Sequence, residues 1–246
     1  MVQSIERAME IINILISDNR KSSWSLSEIS DKVGLPLSSV HRLVTALMKQ
    51  GLVMQIPETK RYKIGYTWME IGFWLHEHLD FRETARPIME RLAQEVEESV
   101  YYSIPDNHYA TIIDRVDSPV SVRIIDNLGE RIPMHIGAAN KSMLAFMKPE
   151  KATQIISHWL PTEAEQKQLR QQLDEIKETG YAVSYGEKTK RTTSIAAPVY
   201  GFDHKVVGSV YINLLADQAT KDRFPFMTEK VLQAAEEISR QTGKAP

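Results

Sequence analysis

The chain has 246 residues, 42% of them hydrophobic, enough apolar surface for one large or two modest domains. The absence of cysteine excludes a disulfide framework, a thiolate zinc site and a cysteine nucleophile. The 30 basic and 32 acidic residues leave a net charge of −2, yet residues 1–65 carry nine basic against six acidic side chains, so a small basic module precedes an acidic one.

From the N-terminus, Ile5, Ala8, Met9, Ile12, Leu15 and Ile16 recur at the spacing of one amphipathic helix stripe, which Asp18-Asn19-Arg20 closes. Ser25-Leu26-Ser27-Glu28 is a capping box, and it opens a short helix with Leu26, Ile29 and Val33 on its inner face, stopped by Gly34. After Leu35-Pro36 a third helix runs to Gln50-Gly51. It buries Val40, Leu43, Val44 and Leu47 and turns Ser38, Ser39, His41, Arg42 and Thr45 outward. A short helix, a glycine turn and a second amphipathic helix make a helix-turn-helix.

Leu52–Ile56 and Arg61–Ile64 read as two strands about the turn Pro57-Glu58-Thr59-Lys60, a wing whose tip offers Lys60 and Arg61 to phosphate. Small hydroxyls at a helix start approach phosphates and base edges closely, and Arg42 has the fork that fits guanine. The alternative is that Ser38 and Ser39 only cap the helix, that Arg42 stays in solvent and that His41 packs or touches phosphate.

The segments Val2-Gln3-Ser4-Ile5-Glu6-Arg7-Ala8, Leu26-Ser27-Glu28-Ile29, Gly34-Leu35-Pro36-Leu37-Ser38-Ser39-Val40-His41-Arg42-Leu43, Gly51-Leu52-Val53 and Tyr62-Lys63-Ile64-Gly65 resemble the IclR family of bacterial transcription regulators. The similarity runs on to the C-terminus. It implies an α/β chain (α+β overall) with a winged helix-turn-helix over 1–65, a linker helix over 66–80 and a GAF-like, mixed-sheet effector-binding domain over 81–246.

In the linker, Trp68, Ile71, Leu75 and Leu79 keep helical spacing, while Met69, Phe73 and Trp74 widen the apolar surface beyond one stripe. A short helix with apolar flanks points to contact with a second subunit or to packing against the chain's own domains; the family resemblance favours the former, a homodimer or dimer of dimers, as does the symmetry of DNA half-sites. Phe81, Ala85, Ile88, Leu92 and Val96 mark the next helix. Strands follow at Val100–Ile104, at Tyr109–Asp114 after a Pro105-Asp106-Asn107 turn, and at Val120–Ile125. A helix spans Asn140–Met147, and Thr162-Glu163-Ala164-Glu165 caps a long polar helix to Thr179. Strands at Ala182–Tyr185, Ser194–Tyr200 and, after an Asp203-His204 turn, Val206–Leu214 precede a closing helix from Phe224 to Gln241. Strands with helices outside them make a mixed α/β or α+β domain.

No catalytic motif is present. Gly137-Ala138-Ala139-Asn140-Lys141-Ser142 lacks the glycines a phosphate loop needs, since Asn140 and His135 stand in their places. Seven scattered histidines offer no metal spacing, so neither metal nor cofactor is expected. Asp106, Asp114, Asp117 and Asp126 read as solvated turn or strand-end carboxylates. No apolar run approaches the roughly 18–20 residues of a membrane-spanning helix. The opening residues also lack a basic-then-apolar leader, so a cytoplasmic protein is expected.

A binding reading finds more. Pro133–Ala139 leads into a helix whose first-turn N–H groups are free donors, a seat for a small carboxylate. Tyr211 and Asn213, two apart on a strand, share a face. The family resemblance implies that Ala138, Ala139, Ser184, Ser194, Tyr211 and Asn213 line an effector pocket. The family pattern has Gly at Asn140, an acid at Ser184, Cys at Ser194, small residues at Tyr211 and Asn213, and an acidic run in place of Lys188-Thr189-Lys190-Arg191. Those departures make the expected pocket tighter and friendlier to anions. The resulting expectation is a repressor that binds double-stranded operator DNA and responds to a small organic acid. The alternatives are a ligand-independent DNA binder and an activator of the same family.

Overall fold

A computed structural model describes residues 3–18, 21–77, 81–120, 124–201 and 204–242. The chain divides into two units, Met1–Leu79 and Asp80–Pro246. In the first, α1 (Gln3–Ile16) carries an apolar arc wider than the core it meets. Ile11, Ile12 and Leu15 are buried, whereas Ile5, Met9 and Ile16 of the predicted stripe stand exposed, so the inward side is turned toward Ile11. α2 (Leu26–Val33) starts on the predicted capping box. Ser25 Oγ accepts from the Glu28 N–H at 3.3 Å, and the Glu28 carboxylate accepts from the Ser25 N–H at 2.8 Å. Gly34 ends the helix at φ +70°, and Ser30 Oγ donates to the Leu35 carbonyl at 2.6 Å to hold the turn. α3 (Leu37–Lys49) follows, with Val40, Val44 and Leu47 on the core and Pro36 at its N-cap. No side chain caps it, so Ser38 and Ser39 do not play that part.

β1 (Val53–Gln55) and β2 (Tyr62–Ile64) form the wing in antiparallel register, Val53 opposite Ile64. They are shorter than expected because the chain already turns at Ile56, whose carbonyl accepts from the Lys60 N–H at 2.9 Å. A third element, not foreseen, completes the wing: Trp24 exchanges both backbone hydrogen bonds with Tyr62, at 2.8 and 2.7 Å. A Cβ on Gly65 would lie 1.9 Å from the Gly51 carbonyl oxygen, so backbone passes backbone there and only glycine fits. In α4 (Thr67–Glu77), Trp68 packs on this core and donates its indole N–H to the Leu52 carbonyl at 2.9 Å. Met69, Ile71, Phe73 and Trp74 are 50–62% exposed. Asn19, Arg20, Leu79 and Asp80 lie outside the described residues.

The second unit runs α5 (Phe81–Val96), β3 (Ser99–Asp106), β4 (Tyr109–Val116), β5 (Arg131–Pro133), α6 (Ala138–Ala145), α7 (Pro149–Trp159), α8 (Glu163–Thr179), β6 (Ala182–Tyr185), β7 (Thr192–Tyr200), β8 (Val206–Leu215) and α9 (Arg223–Gln241). Its six strands pair in the order β5-β4-β3-β8-β7-β6. Every pairing among them is antiparallel, so what is mixed is helix with strand and not strand direction. The two-residue period of the strands sorts side chains between two cores. Val100, Ile195, Val210 and Ile212 face α5 and α9; Tyr101, Ala196 and Tyr211 face α6 and α8.

Several expectations need correction. Pro105 and Asp106 belong to β3, and the hairpin turns on Asn107-His108, with Asn107 at φ +54°. The expected strand Val120–Ile125 is absent at Val120, Ile124 and Ile125, while 121–123 and the expected turn residue Asp203 lie outside the described residues. The strand at that edge of the sheet, beside β4, is β5 instead. Ile124 is held by a side chain, its carbonyl accepting from the Tyr101 hydroxyl at 2.6 Å. α7 was not foreseen, and α6 begins at Ala138, two residues early. Nor are the aspartates all solvated: Asp114 and Asp126 are buried, Asp114 against Arg86 at 2.7 Å. No helix among the described residues is long and apolar enough to cross a membrane.

Candidate functional site

α3 presents Ser38, His41, Arg42 and Thr45 to solvent, with Ser39 half-buried beside them. Thr45 Oγ1 donates to the His41 carbonyl at 2.7 Å, so its hydroxyl has only acceptor capacity left for a partner. Lys60 is exposed at the wing turn in the left-handed region, φ +55°. Arg61 departs from expectation. Its Nη2 lies 2.6 Å from Glu28 Oε2 and 3.0 Å from the Ser23 carbonyl, and its Nε lies 3.2 Å from Ser23 Oγ. The nearest carboxylate has drawn the guanidinium inward, so Arg61 braces the wing to the cap of α2 instead of standing free at the tip. Glu28 also pairs with Lys21 at 3.0 Å. The Ser25 amide, the Lys21 hydrogen bond and the nearby Arg61 charge hold its carboxyl down at about 2.

In the second unit, Ala138, Ala139, Ser184, Ser194, Tyr211 and Asn213 come from α6, β6, β7 and β8 and line one cavity. Its free volume is about 30 Å³, small against an organic acid. Tyr211 fills the floor and stacks on Tyr101 with ring centres 5.2 Å apart. Burial pushes the Tyr211 hydroxyl well above its ordinary pKa, and that of Tyr101 up to about 12.

The walls are tied together. Ser194 Oγ donates to Asn213 Oδ1 at 2.5 Å, and Asn213 Nδ2 donates to Asp126 Oδ2 at 2.7 Å. Lys188 Nζ sits 2.7 Å from Asp126 Oδ1 and 2.8 Å from Glu130 Oε2. Sequence reasoning places Asp126 as a solvated carboxylate beside an expected strand; it is buried in the cavity wall instead, held by Tyr101, Asn213 and Lys188.

The helix-end seat is half taken by the chain itself. The Gly137 N–H donates to Glu187 Oε2 at 2.9 Å and the Ala138 N–H to Ser184 Oγ at 3.1 Å. Among the described residues the N–H groups of Ala139 and Asn140 have no acceptor. Lys141, 93% buried, donates to Glu187 Oε1 at 2.7 Å and Gln172 Oε1 at 2.8 Å. The expectation of a pocket friendlier to anions is therefore qualified: Lys188 and Lys141 are both already matched by carboxylates. Asn140, where the family pattern has Gly, staples β5 to α6, its Nδ2 donating to the Ile132 and Pro133 carbonyls at 3.1 and 2.9 Å. Among the described residues no group of three or more His, Cys, Asp or Glu is arranged to hold a metal.

Two family models match the chain: the IclR helix-turn-helix domain over residues 4–57 and the C-terminal domain of bacterial transcriptional regulators of the IclR type over 75–240. The HTH-type transcriptional regulator KipR of Bacillus subtilis is 32% identical over 98% of this chain and 97% of its own length. The transcriptional repressor IclR of Escherichia coli is 26% identical over 97% of this chain and 89% of its own. Among solved structures, an IclR homolog from Microbacterium hydrocarbonoxydans, complexed with 4-hydroxybenzoate, superimposes with a TM-score of 0.80 at 21% identity, over 97% of this chain and 98% of that one. A basic helix-turn-helix with a wing, a second unit with a small cavity beside α6 and these matches agree: the chain belongs to the IclR family of DNA-binding bacterial transcription regulators, which are not enzymes.

Proposed function

We propose that this regulator is a repressor whose hold on operator DNA is set by a small organic acid seated in the cavity. The observation that carries the reading is the convergence of six residues from four elements on one polar cavity beside the first turn of α6. A relative named as a repressor and a homolog solved with an aromatic acid point the same way. In this reading Arg42, Ser39 and Thr45 read bases. Ser38, His41 and Lys60 contact phosphates, and Arg61 acts at second hand by fixing the wing. The chain works as a homodimer or dimer of dimers, for which the exposed apolar side chains of α4 supply a surface. The ligand acts through its unequal affinity for two arrangements of that assembly, a coupling typically of about 1–3 kcal/mol.

The test is fluorescence anisotropy on duplexes from the protein's own promoter region, with and without keto, sugar and aromatic acids. One acid class should weaken binding about 5- to 150-fold. No binding to any such duplex in dilute buffer sinks the reading; binding that no acid alters favours the ligand-independent alternative, and a reporter fused to that promoter, raised by deletion of the protein for a repressor and lowered for an activator, decides the sign. Within the same assay, Arg42→Ala should lose about 1–3 kcal/mol of sequence preference while keeping its salt-dependent nonspecific binding.

A further inference from the structure

We propose that Asp126 is a specificity-determining residue of the cavity, selecting acids that also carry a hydrogen-bond donor, a hydroxyl or an amine, over acids that do not. This rests on the organic-acid reading and sharpens it. Asp126 is only 6% exposed and lines the cavity. Its placement is enforced from below: the Tyr101 hydroxyl, itself in the core, donates to the Ile124 carbonyl at 2.6 Å and accepts the Asp126 N–H at 3.3 Å. Asn213 and Lys188 each occupy one carboxylate oxygen, at 2.7 Å. A carboxylate has about four acceptor sites, so capacity remains toward the cavity. Ser194 spends its proton on Asn213, which leaves its oxygen as a second acceptor.

The α6 side has the opposite character, with the unfilled N–H groups of Ala139 and Asn140. The cavity therefore pairs donors on one wall with a buried acceptor on another. A ligand that ends in hydrocarbon against Asp126 strips water from a carboxylate and returns nothing, and such a mismatch is penalised more heavily than a matched bond is rewarded.

The test is isothermal titration of the full-length protein with matched acids that differ by one donor: propanoate against lactate, and benzoate against the hydroxybenzoates. The donor-bearing member should bind wild type about 10- to 100-fold tighter, the range for a hydrogen bond to a charged group. Asp126→Asn should shrink that ratio below about threefold without weakening the donor-free acid. Glu130→Gln, which removes the other carboxylate on Lys188 but leaves the cavity lining intact, should keep the ratio. Equal binding of both members to wild type, or an unchanged ratio in Asp126→Asn, overturns the proposal and leaves the organic-acid reading standing. Failure of every acid to bind wild type removes that reading, and this proposal with it. Should Asp126→Asn not fold, the methoxybenzoates on wild type decide, since they accept but cannot donate. They should bind like benzoate, and binding as tight as the hydroxybenzoates refutes the selection.

Discussion

Glu98 lies between α5 and β3, 4% exposed, with Arg223 of α9 3.4 Å away. Burial pushes its carboxyl up to about 7; the Arg223 charge opposes that shift and Glu97 adds to it. A carboxylate whose folded pKa is raised binds its proton better when folded. Its ionisation therefore costs nothing below about pH 4.5, and the stability is lost as pH rises toward 7, then levels off. A displacement of about 2.5 units corresponds to about 3 kcal/mol. Glu98→Gln removes the charge and keeps an oxygen for Arg223, so it should be more stable than wild type at pH 8 by about 3 kcal/mol more than at pH 4. A melt of the whole chain would mix two units. Amide exchange at Tyr101 and Ile212, in the central strands β3 and β8, reads the second unit alone, and the pH-dependent gap should exceed about two orders of magnitude in exchange rate. If Glu98→Gln instead loses protection as pH rises, the Arg223 attraction outweighs desolvation and the reasoning is wrong.

Lys60→Ala should lower the slope of log affinity against log salt by about 0.9, the signature of one lost phosphate contact. Arg61→Ala should leave that slope unchanged and speed amide exchange at Tyr62 in the first unit, because its guanidinium holds Glu28 and Ser23. Gly65→Ala should cost at least about 3 kcal/mol by overpacking backbone on backbone, whereas Gly72→Ala in α4, with open space around it, should stabilise by about 0.5–1 kcal/mol; chemical denaturation separates the two. Asn140→Ala should destabilise the second unit by about 1–3 kcal/mol, since two carbonyls of the β5 segment lose their donor, as exchange at the Ile132 amide would report.

What the sequence made legible is what neighbours along the chain decide. The capping boxes at Ser25/Glu28 and Thr162/Glu165 appear as read, and so does the strand Ala182–Tyr185, because each depends on residues within a few positions. α7 escaped notice because only Ile155 and Ile156 bury, too few to print a period on the sequence. Contacts between distant segments escaped as well. Arg61 meets Glu28 across 33 positions, and Asn213 meets Asp126 across 87, and no local pattern announces either. Membership of the cavity was legible only through resemblance, residue by residue. Asp126 enters from beside Val120–Ile125, which reads as a strand and is not one at Val120, Ile124 or Ile125.

One carboxylate, Glu28, receives the Ser25 amide, Lys21 and Arg61 together, while Ser30 ties the end of the same helix to the segment that launches α3. The hairpin and the start of α3 are thereby tied to the two ends of one short helix. If α3 and the hairpin meet DNA as proposed, a site that seats the hairpin on one strand biases the depth at which the helix lies. In the proposed reading, groove width is then weighed along with the bases.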